Sequence, residues 1–238
     1  MELSIVIPVH NEADNIAPLV AEIRAALDGK LDYEIVYVDD ASRDGTAAAL
    51  AALTASGGNL RVVRHVVRCG QSAAIRSGVK AARAPWIATL DGDGQNDPAD
   101  ITSLWALRTD GGAPRMIPGE RRRRRDSWSK RISSRWANRI RRRLLHDDTP
   151  DTGCGLKLFP RAVFLELPYF DHMHRFLGAL MVRQGVTVVS VPVNHRPRLK
   201  GTSKYGFWDR LWVGISDLAG VMWLQRRAHI PRIEGDRP

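Results

Sequence analysis

The sequence predicts an α/β fold built on a doubly wound, mostly parallel sheet. Three observations predict it. The first hundred residues alternate short apolar, β-branched runs with helix-forming stretches, the signature of β-α-β units. The strand-like runs are apolar throughout, as strands buried on both faces should be. Finally, polar residues collect just after the strands: His10, Asn11 and Glu12 after the first, Asp39 and Asp40 at the end of the second, Asp91 and Asp93 after the fourth. In such sheets ligands bind outside the carboxyl ends of the strands.

The elements follow in order. Leu3 to Val9 is the first strand. A helix follows with Ile16, Leu19, Ile23 and Leu27 on one face, and Pro18 is expected in its first turn, where a missing N–H costs little. Tyr33 to Val38 is the second strand. Asp44-Gly45 marks a turn, and the alanine-rich Thr46 to Ala55 is a strong helix former. Leu60 to Val67 is a third strand, Gln71 to Ala82 a third helix and Trp86 to Leu90 a fourth strand. Asp97-Pro98 reads as an N-cap followed by Pro at the first helical position.

The second half is less regular. Ser127 to Leu145 has helical spacing, with Trp128, Ile132, Trp136, Ile140 and Leu144 set among arginines. Asp151 to Gly155 is a polar turn. Arg161 to Leu167 and Met173 to Gln184 read as helices, Val186 to Val193 as a strand, and Arg196 to Tyr205 as a basic loop. The expected organisation is one catalytic-size domain over 1–205, with 206–238 as a C-terminal amphipathic helix and tail.

Composition bounds the function. The chain has 238 residues and a net charge of +10, enough length for one well-cored domain. The charge is local. Arg115 to Arg143 holds thirteen Arg or Lys against Glu120 and Asp126, an excess of +11, so the remainder is about −1. One basic segment of this kind points to a local anionic partner. Mixed with Trp128 and Trp136, it suits an anionic membrane surface. A nucleic-acid partner is disfavoured, because the strand-end carboxylates would repel phosphate without a metal. Two cysteines, Cys69 and Cys154, make no disulfide framework, so a reducing compartment is expected. No secretory signal is expected, since the N-terminus opens directly into a strand. Tyr205 to Leu224 is interrupted by Asp209, Arg210 and Asp217, so it is expected to lie in an interface instead of spanning.

Asp91-Gly92-Asp93-Gly94-Gln95 is the sharpest motif. Two carboxylates two residues apart, after a strand, can reach one hard cation, and Gln95 adds an amide oxygen. Mg²⁺ and Mn²⁺ prefer such ligands and leave positions for phosphate oxygens. Taken alone, the motif is equally compatible with a polar turn. Asp39 and Asp40 could accept hydrogen bonds from a base or ribose, or serve the following turn, and Asn11 and Glu12 carry the same ambiguity. A glycine-rich dinucleotide turn is absent after the first strand. No His or Cys spacing reads as a zinc site: His172 and His174 stand two apart without a Cys cluster.

These motifs resemble a known family. Ile7-Pro-Val-His-Asn-Glu12, Val38-Asp-Asp-Ala-Ser42 and Asp91-Gly-Asp93 resemble the family 2 inverting glycosyltransferases of GT-A, Rossmann-like fold. Asp91 to Gln95, Asp151-Thr-Gly-Cys-Gly155, Met173-His-Arg-Phe176, Val193-Asn-His-Arg-Pro-Arg198 and Gly201 to Gly206 are similar to the polyprenyl-phosphate glycosyltransferases, of which dolichol-phosphate mannosyltransferase is the best-known member. The resemblance runs from Leu3 to about Tyr205. It implies that Pro8, His10, Glu12, Val38, Asp39, Asp40 and Gly92 line the nucleotide-sugar pocket, with His10 where the family usually has Tyr. It implies Asp91, Asp93 and Gln95 as ligands of Mg²⁺ or Mn²⁺, and Arg121, His174, Arg175, Arg196, Arg198 and Lys204 as partners of donor diphosphate or acceptor phosphate.

The expected reaction moves a sugar from a nucleotide-diphosphate sugar to a polyprenyl phosphate at the cytoplasmic face of a membrane, with the chain attached peripherally. Such an acceptor is largely ionised at neutral pH and needs cations to position it more than a base. A saccharide or lipid hydroxyl is the alternative acceptor. It would need a carboxylate base, for which Asp151 is the candidate.

Overall fold

The computed structural model describes residues 1–55, 57–121, 141, 143–145, 147, 149–197 and 207–227, without the side chains of 207–213. The first half folds as the pattern dictates. Strands β1 (Leu3–Val9), β2 (Tyr33–Asp39), β3 (Leu60–Arg64) and β4 (Trp86–Thr89) alternate with helices α1 (Ala13–Leu27), α2 (Thr46–Ala55) and α3 (Gln71–Ala81). Helix α4 (Asp100–Ala106) follows β4. These four strands pair in parallel in the order β3-β2-β1-β4.

Alternation along β1 shows why this strand is apolar on both faces. Leu3, Ile5, Ile7 and Val9 enter a core with Ile16, Leu19, Ile23 and Leu27 of α1. Val6 points the other way, into a second core with Ile75 and Val79 of α3. Each such side chain contributes about 1.5–3 kcal/mol when fully buried. At Gly78 a Cβ would stand 2.4 Å from Val6 Cγ1 and 3.0 Å from Val38 Cγ2, so α3 lies against the sheet only because residue 78 has no side chain.

Three strands after the fourth escaped the sequence reading. Strands β5 (Thr109–Asp110) and β6 (Ala113–Arg121) form a hairpin, and β7 (Lys157–Pro160) inserts antiparallel between β4 and β6. The run expected as one strand from Val186 to Val193 is two short ones, β8 (Thr187–Val188) and β9 (Val191–Val193), both parallel to β6. The helix expected at Arg161 is α5 (Arg161–Leu165). The one expected over 173–184 divides into a 3₁₀ turn, Met173–Arg175, and α6 (Leu177–Arg183). Pro18 is a further correction. Helix α1 begins at Ala13, which puts Pro18 in its second turn. The backbone bond it removes would have used the carbonyl of exposed Asp14.

The C-terminal helix α7 (Phe207–Arg227) packs Val221, Leu218, Met222 and Leu224 against the second core, and its Gln225 Nε2 donates to Leu145 O at 2.8 Å. Ile215 and Trp223 face solvent, 49% and 59% exposed. Among the described residues, no helix is long and apolar enough to cross a membrane. Most of the basic Ser127–Leu145 segment, with Trp128 and Trp136, lies outside the described residues.

Candidate active site

The parallel register brings the acidic strand ends together. Val9 pairs with Asp39, Asp40 N donates to Val9 O at 2.9 Å, and Leu90 N donates to Val6 O at 3.1 Å. The loops after β1 and β2 are laced across each other. His10 Nδ1 donates to Asp40 O at 2.8 Å, Asn11 N donates to Ser42 Oγ at 2.9 Å, and Arg43 N donates to Asn11 Oδ1 at 2.8 Å. Asn11 and Ala41 hold positive φ, 58° and 56°. Such strain persists only where surroundings over-determine it.

An open cleft of about 830 Å³ lies beside these loops, lined by His10, Ser42, Arg43, Arg64 and His65 among others. Asp39 is fully buried behind two of these lining residues, Ser42 and Arg64. Its Oδ1 accepts from Ser42 N at 2.9 Å, and its Oδ2 is 3.4 Å from Arg64 Nε in an ion pair. Asp40 is engaged elsewhere. Oδ1 accepts from Cys69 N at 2.8 Å and His65 Nδ1 at 2.7 Å, and Oδ2 accepts from Gly70 N at 2.8 Å. Burial works to raise its pKa, but these three donors together hold it below the usual carboxylate value. Glu12 accepts from Asn15 Nδ2 at 2.6 Å, at the start of α1. Val38 is fully buried in β2 against α3, so its side chain belongs to the packing of the sheet.

The Asp91–Gln95 loop is shaped by neighbours with no room for side chains. At Gly92 a Cβ would stand 2.4 Å from Val9 Cγ1, and at Gly155 one would stand 2.2 Å from Asp91 Oδ2. Thr89 Oγ1 donates to Gly155 O at 2.7 Å and holds the 151–155 turn against the end of β4. Asp91 Oδ1 accepts from Gln71 Nε2 at 2.9 Å. Burial, and then the charge of Asp93, push the Asp91 carboxyl above its usual range, while Lys157 and Arg121 pull it down. The Asp91 and Asp93 carboxylates, with the Gln95 amide oxygen two residues on, fit a hard divalent cation. Gln95 Nε2 donates to Arg196 O at 3.4 Å, which leaves its amide oxygen as the atom with ligand chemistry.

Cations stand behind these acids. Arg121, the last residue of β6, grips the buried Asp151 in a fork, Nε to Oδ2 at 2.6 Å and Nη2 to Oδ1 at 2.8 Å. The fork commits both Asp151 oxygens, and its hydrogen bonds, joined by the Asp151 charge, raise the Arg121 pKa against the effect of burial. Lys157, on β7 opposite Thr89, is buried and donates to Cys154 O. Burial lowers its pKa, and the charges of Cys154, Asp91 and Asp151 oppose that. The sequence reading missed Lys157, and only its placement after the 151–155 turn could have signalled it.

His174 lines a small enclosed pocket with Pro8, Gln71, Ser72, Asp91 and Lys157. Its Nδ1 is 2.7 Å from Ser72 Oγ. Burial, and then Lys157, push its pKa down to about 3, so it is neutral at physiological pH and offers a phosphate no charge. Arg175, beside it, is exposed. Arg196 is turned toward acids: Nη1 is 2.7 Å from Glu22 and Nη2 2.9 Å from Asp97. Arg198 and Lys204 lie outside the described residues.

An acidic pair at the carboxyl edge of a doubly wound sheet, backed by the buried Lys157 and the half-buried Arg121, is the kind of site that handles phosphate-bearing ligands through a divalent cation. The family follows from comparison. The model of glycosyl transferase family 2 matches residues 4–167, and the chain belongs to that family and is a glycosyltransferase. It is 34% identical over 231 residues to a dodecaprenyl-phosphate galacturonate synthase of Rhizobium johnstonii, covering 95% of this chain and 68% of that one. It is 34% identical over 208 residues to an undecaprenyl-phosphate 4-deoxy-4-formamido-L-arabinose transferase of Edwardsiella ictaluri, covering 86% of this chain and 63% of that one. The chain thus spans about two thirds of the length of these relatives. Glucosyl-3-phosphoglycerate synthase from Mycobacterium tuberculosis, crystallised with Mn²⁺, UDP and phosphoglyceric acid, superposes with a TM-score of 0.67 at 19% identity, covering 96% of this chain and 80% of that one. That likeness establishes the shared fold.

Proposed function

We propose that the chain transfers a sugar from a nucleotide-diphosphate donor to a polyprenyl phosphate. The observation that carries this is the likeness, over nearly the whole chain, to relatives named for polyprenyl-phosphate products. The site chemistry supports it. Asp91, Asp93 and the Gln95 amide oxygen would hold Mg²⁺ or Mn²⁺, which supplies positive charge for the leaving diphosphate. His10, Asn11 and Ser42 border the cleft suited to the nucleoside, and Asp39, bonded to Ser42 N, would be the acceptor of a base or ribose donor. Lys157 and Arg121 offset the carboxylate charge around the reacting centre.

The acceptor assignment has a second support. Asp151 has both oxygens in the Arg121 fork, which disfavours it as a base for a hydroxyl acceptor. A phosphate acceptor already carries its nucleophilic oxygen and needs only orientation. Membrane attachment belongs to the same proposal. Ile215, Ala219 and Trp223 form an exposed stripe on α7, next to Arg226 and Arg227, a face suited to an anionic leaflet on the cytoplasmic side. The donor sugar is found by supplying radiolabelled nucleotide sugars with polyprenyl phosphate and Mg²⁺ or Mn²⁺. Label in an organic-extractable, acid-labile product is the expected result, and absence of such product with every donor would refute the proposal.

A further inference from the structure

We propose that Asp40, His65 and Cys69 form a second metal site, selective for a thiophilic divalent cation such as Zn²⁺ and distinct from the Asp91–Asp93 pair. One ligand atom from each residue lies within 4.8 Å of the other two. The three come from different segments: the end of β2, the residue after β3, and the loop before α3. Imidazole, thiolate and carboxylate together are a zinc donor set. Magnesium and manganese favour all-oxygen sets such as the Asp91 loop, so the chemistry of the two sites divides the metals between them.

The surroundings are those of a prepared site. His65 Nε2 is 2.9 Å from Ser77 Oγ, which fixes the ring with Nδ1 toward Asp40. Cys69 N and Gly70 N, both 2.8 Å from the Asp40 carboxylate, orient that group as outer hydrogen bonds orient metal ligands. Gly70 holds φ 89°, and the turn it makes returns the chain to Asp40. Cys69 is exposed, which gives a cation its way in and leaves a coordination position for water.

Ligand atoms around tetrahedral zinc stand about 3.3–3.8 Å apart, given bonds of about 2.0–2.3 Å. The Cys69 sulfur must therefore close by up to about 1 Å, while the Asp40–His65 contact, now 2.7 Å, opens by about 0.6 Å or more. Rotation of the exposed Cys69 side chain supplies the sulfur's approach, at the loss of its 3.2 Å contact with Val67 O. The proton balance is simple. The thiol gives up its proton to solvent, the imidazole proton moves from Nδ1 to Nε2, where Ser77 Oγ accepts it, and the cation takes the place of the Asp40–His65 hydrogen bond. Once bound, it ties the 65–70 wall of the cleft to the end of β2. Zinc binding is read without glycosyl transfer, so the two proposals stand or fall separately.

The test uses the full chain, stripped of metal, with Zn²⁺ alone as the probe and a thiol reagent as the readout. Cys154 is buried, so labelling reports Cys69. The expected result is that one equivalent of Zn²⁺ slows labelling at least about tenfold, the scale on which well-supported ligation acts. Excess Mg²⁺ should not protect, Asp93→Asn should protect as the wild type does, and Cys69→Ser should bind Zn²⁺ at least about tenfold more weakly. An unchanged labelling rate at saturating Zn²⁺ would overturn the proposal without any variant. Equal Zn²⁺ affinity in Cys69→Ser would overturn it too, by placing the ion elsewhere.

Discussion

Gly155→Ala separates the position of Asp91 from the stability of the fold. The new Cβ would stand 2.2 Å from Asp91 Oδ2, 2.3 Å from Cγ and 2.7 Å from Oδ1. Ordinary contact begins near 3.4 Å, so the carboxylate must move by more than about 1 Å. The obstacle is the far end of one side chain, so the fold yields cheaply, at about 1 kcal/mol or the low end of overpacking costs. In a chain of this size that lowers Tm by about 2–4 °C. Function should respond far more steeply. A displacement of about 1 Å at a reacting centre costs about a hundredfold, equivalent to about 2.7 kcal/mol. Metal-dependent donor turnover, measured beside a thermal melt, checks both numbers. Gly178→Ala is the contrast, because its Cβ would stand 2.3 Å from Thr149 Oγ1 and 3.4 Å from Thr149 Cβ, within the fold. It should lose stability first. Gly155→Ala with full turnover and a normal melt would refute the assignment of Asp91 to the metal.

Four further outcomes are expected. Arg121→Ala strands the buried Asp151 carboxylate and should cost about 3–5 kcal/mol in urea unfolding, with Arg121→Lys recovering only part because it cannot form the fork. The Asp40 carboxyl is depressed in the folded state. Its contribution is therefore complete above the ordinary value of 3.8 and is lost as pH falls through the lower folded value, so the wild type should lose its stability advantage over Asp40→Asn in melts below about pH 4. His174 is held near 3, so any limb of the pH–rate profile near neutrality should survive in His174→Gln. On α7, Arg226→Ala with Arg227→Ala should weaken partition onto anionic vesicles by about 2 kcal/mol, taking about 1 kcal/mol per basic residue. A neutral vesicle serves as the control.

Much of the parallel half was legible because its signals are local. The bounds expected for α2 are those observed, and β1, β2 and β4 lie within a residue of their expected ends, since apolar β-branched runs bounded by turns leave few alternatives. The acidic strand ends meet because parallel register demands it. The antiparallel additions were not legible. Strand β6 carries Pro114, Pro118 and Gly119 in Ala113–Arg121, residues that argue against a strand, and its pairing with β7 comes from residues some forty positions away. Lys157 was missed because lysine is rarely buried. The resemblance implied Arg196 as a phosphate partner, but its ion pair with Glu22, 174 residues away in sequence, is one that no local pattern could reveal. The Asp40–His65–Cys69 cluster was hidden for the same reason, as its spacings fit no metal motif.

The central claim is metal-dependent transfer from a nucleotide sugar to a lipid phosphate, and it is tested most directly by running wild type and Asp93→Asn side by side with the identified donor, polyprenyl phosphate and Mn²⁺. The account predicts lipid-linked product from the wild type alone, abolished by chelation and restored by added Mn²⁺, while Asp93→Asn stays folded and inactive. Equal lipid-linked product from the variant, or transfer that survives chelation, would contradict it.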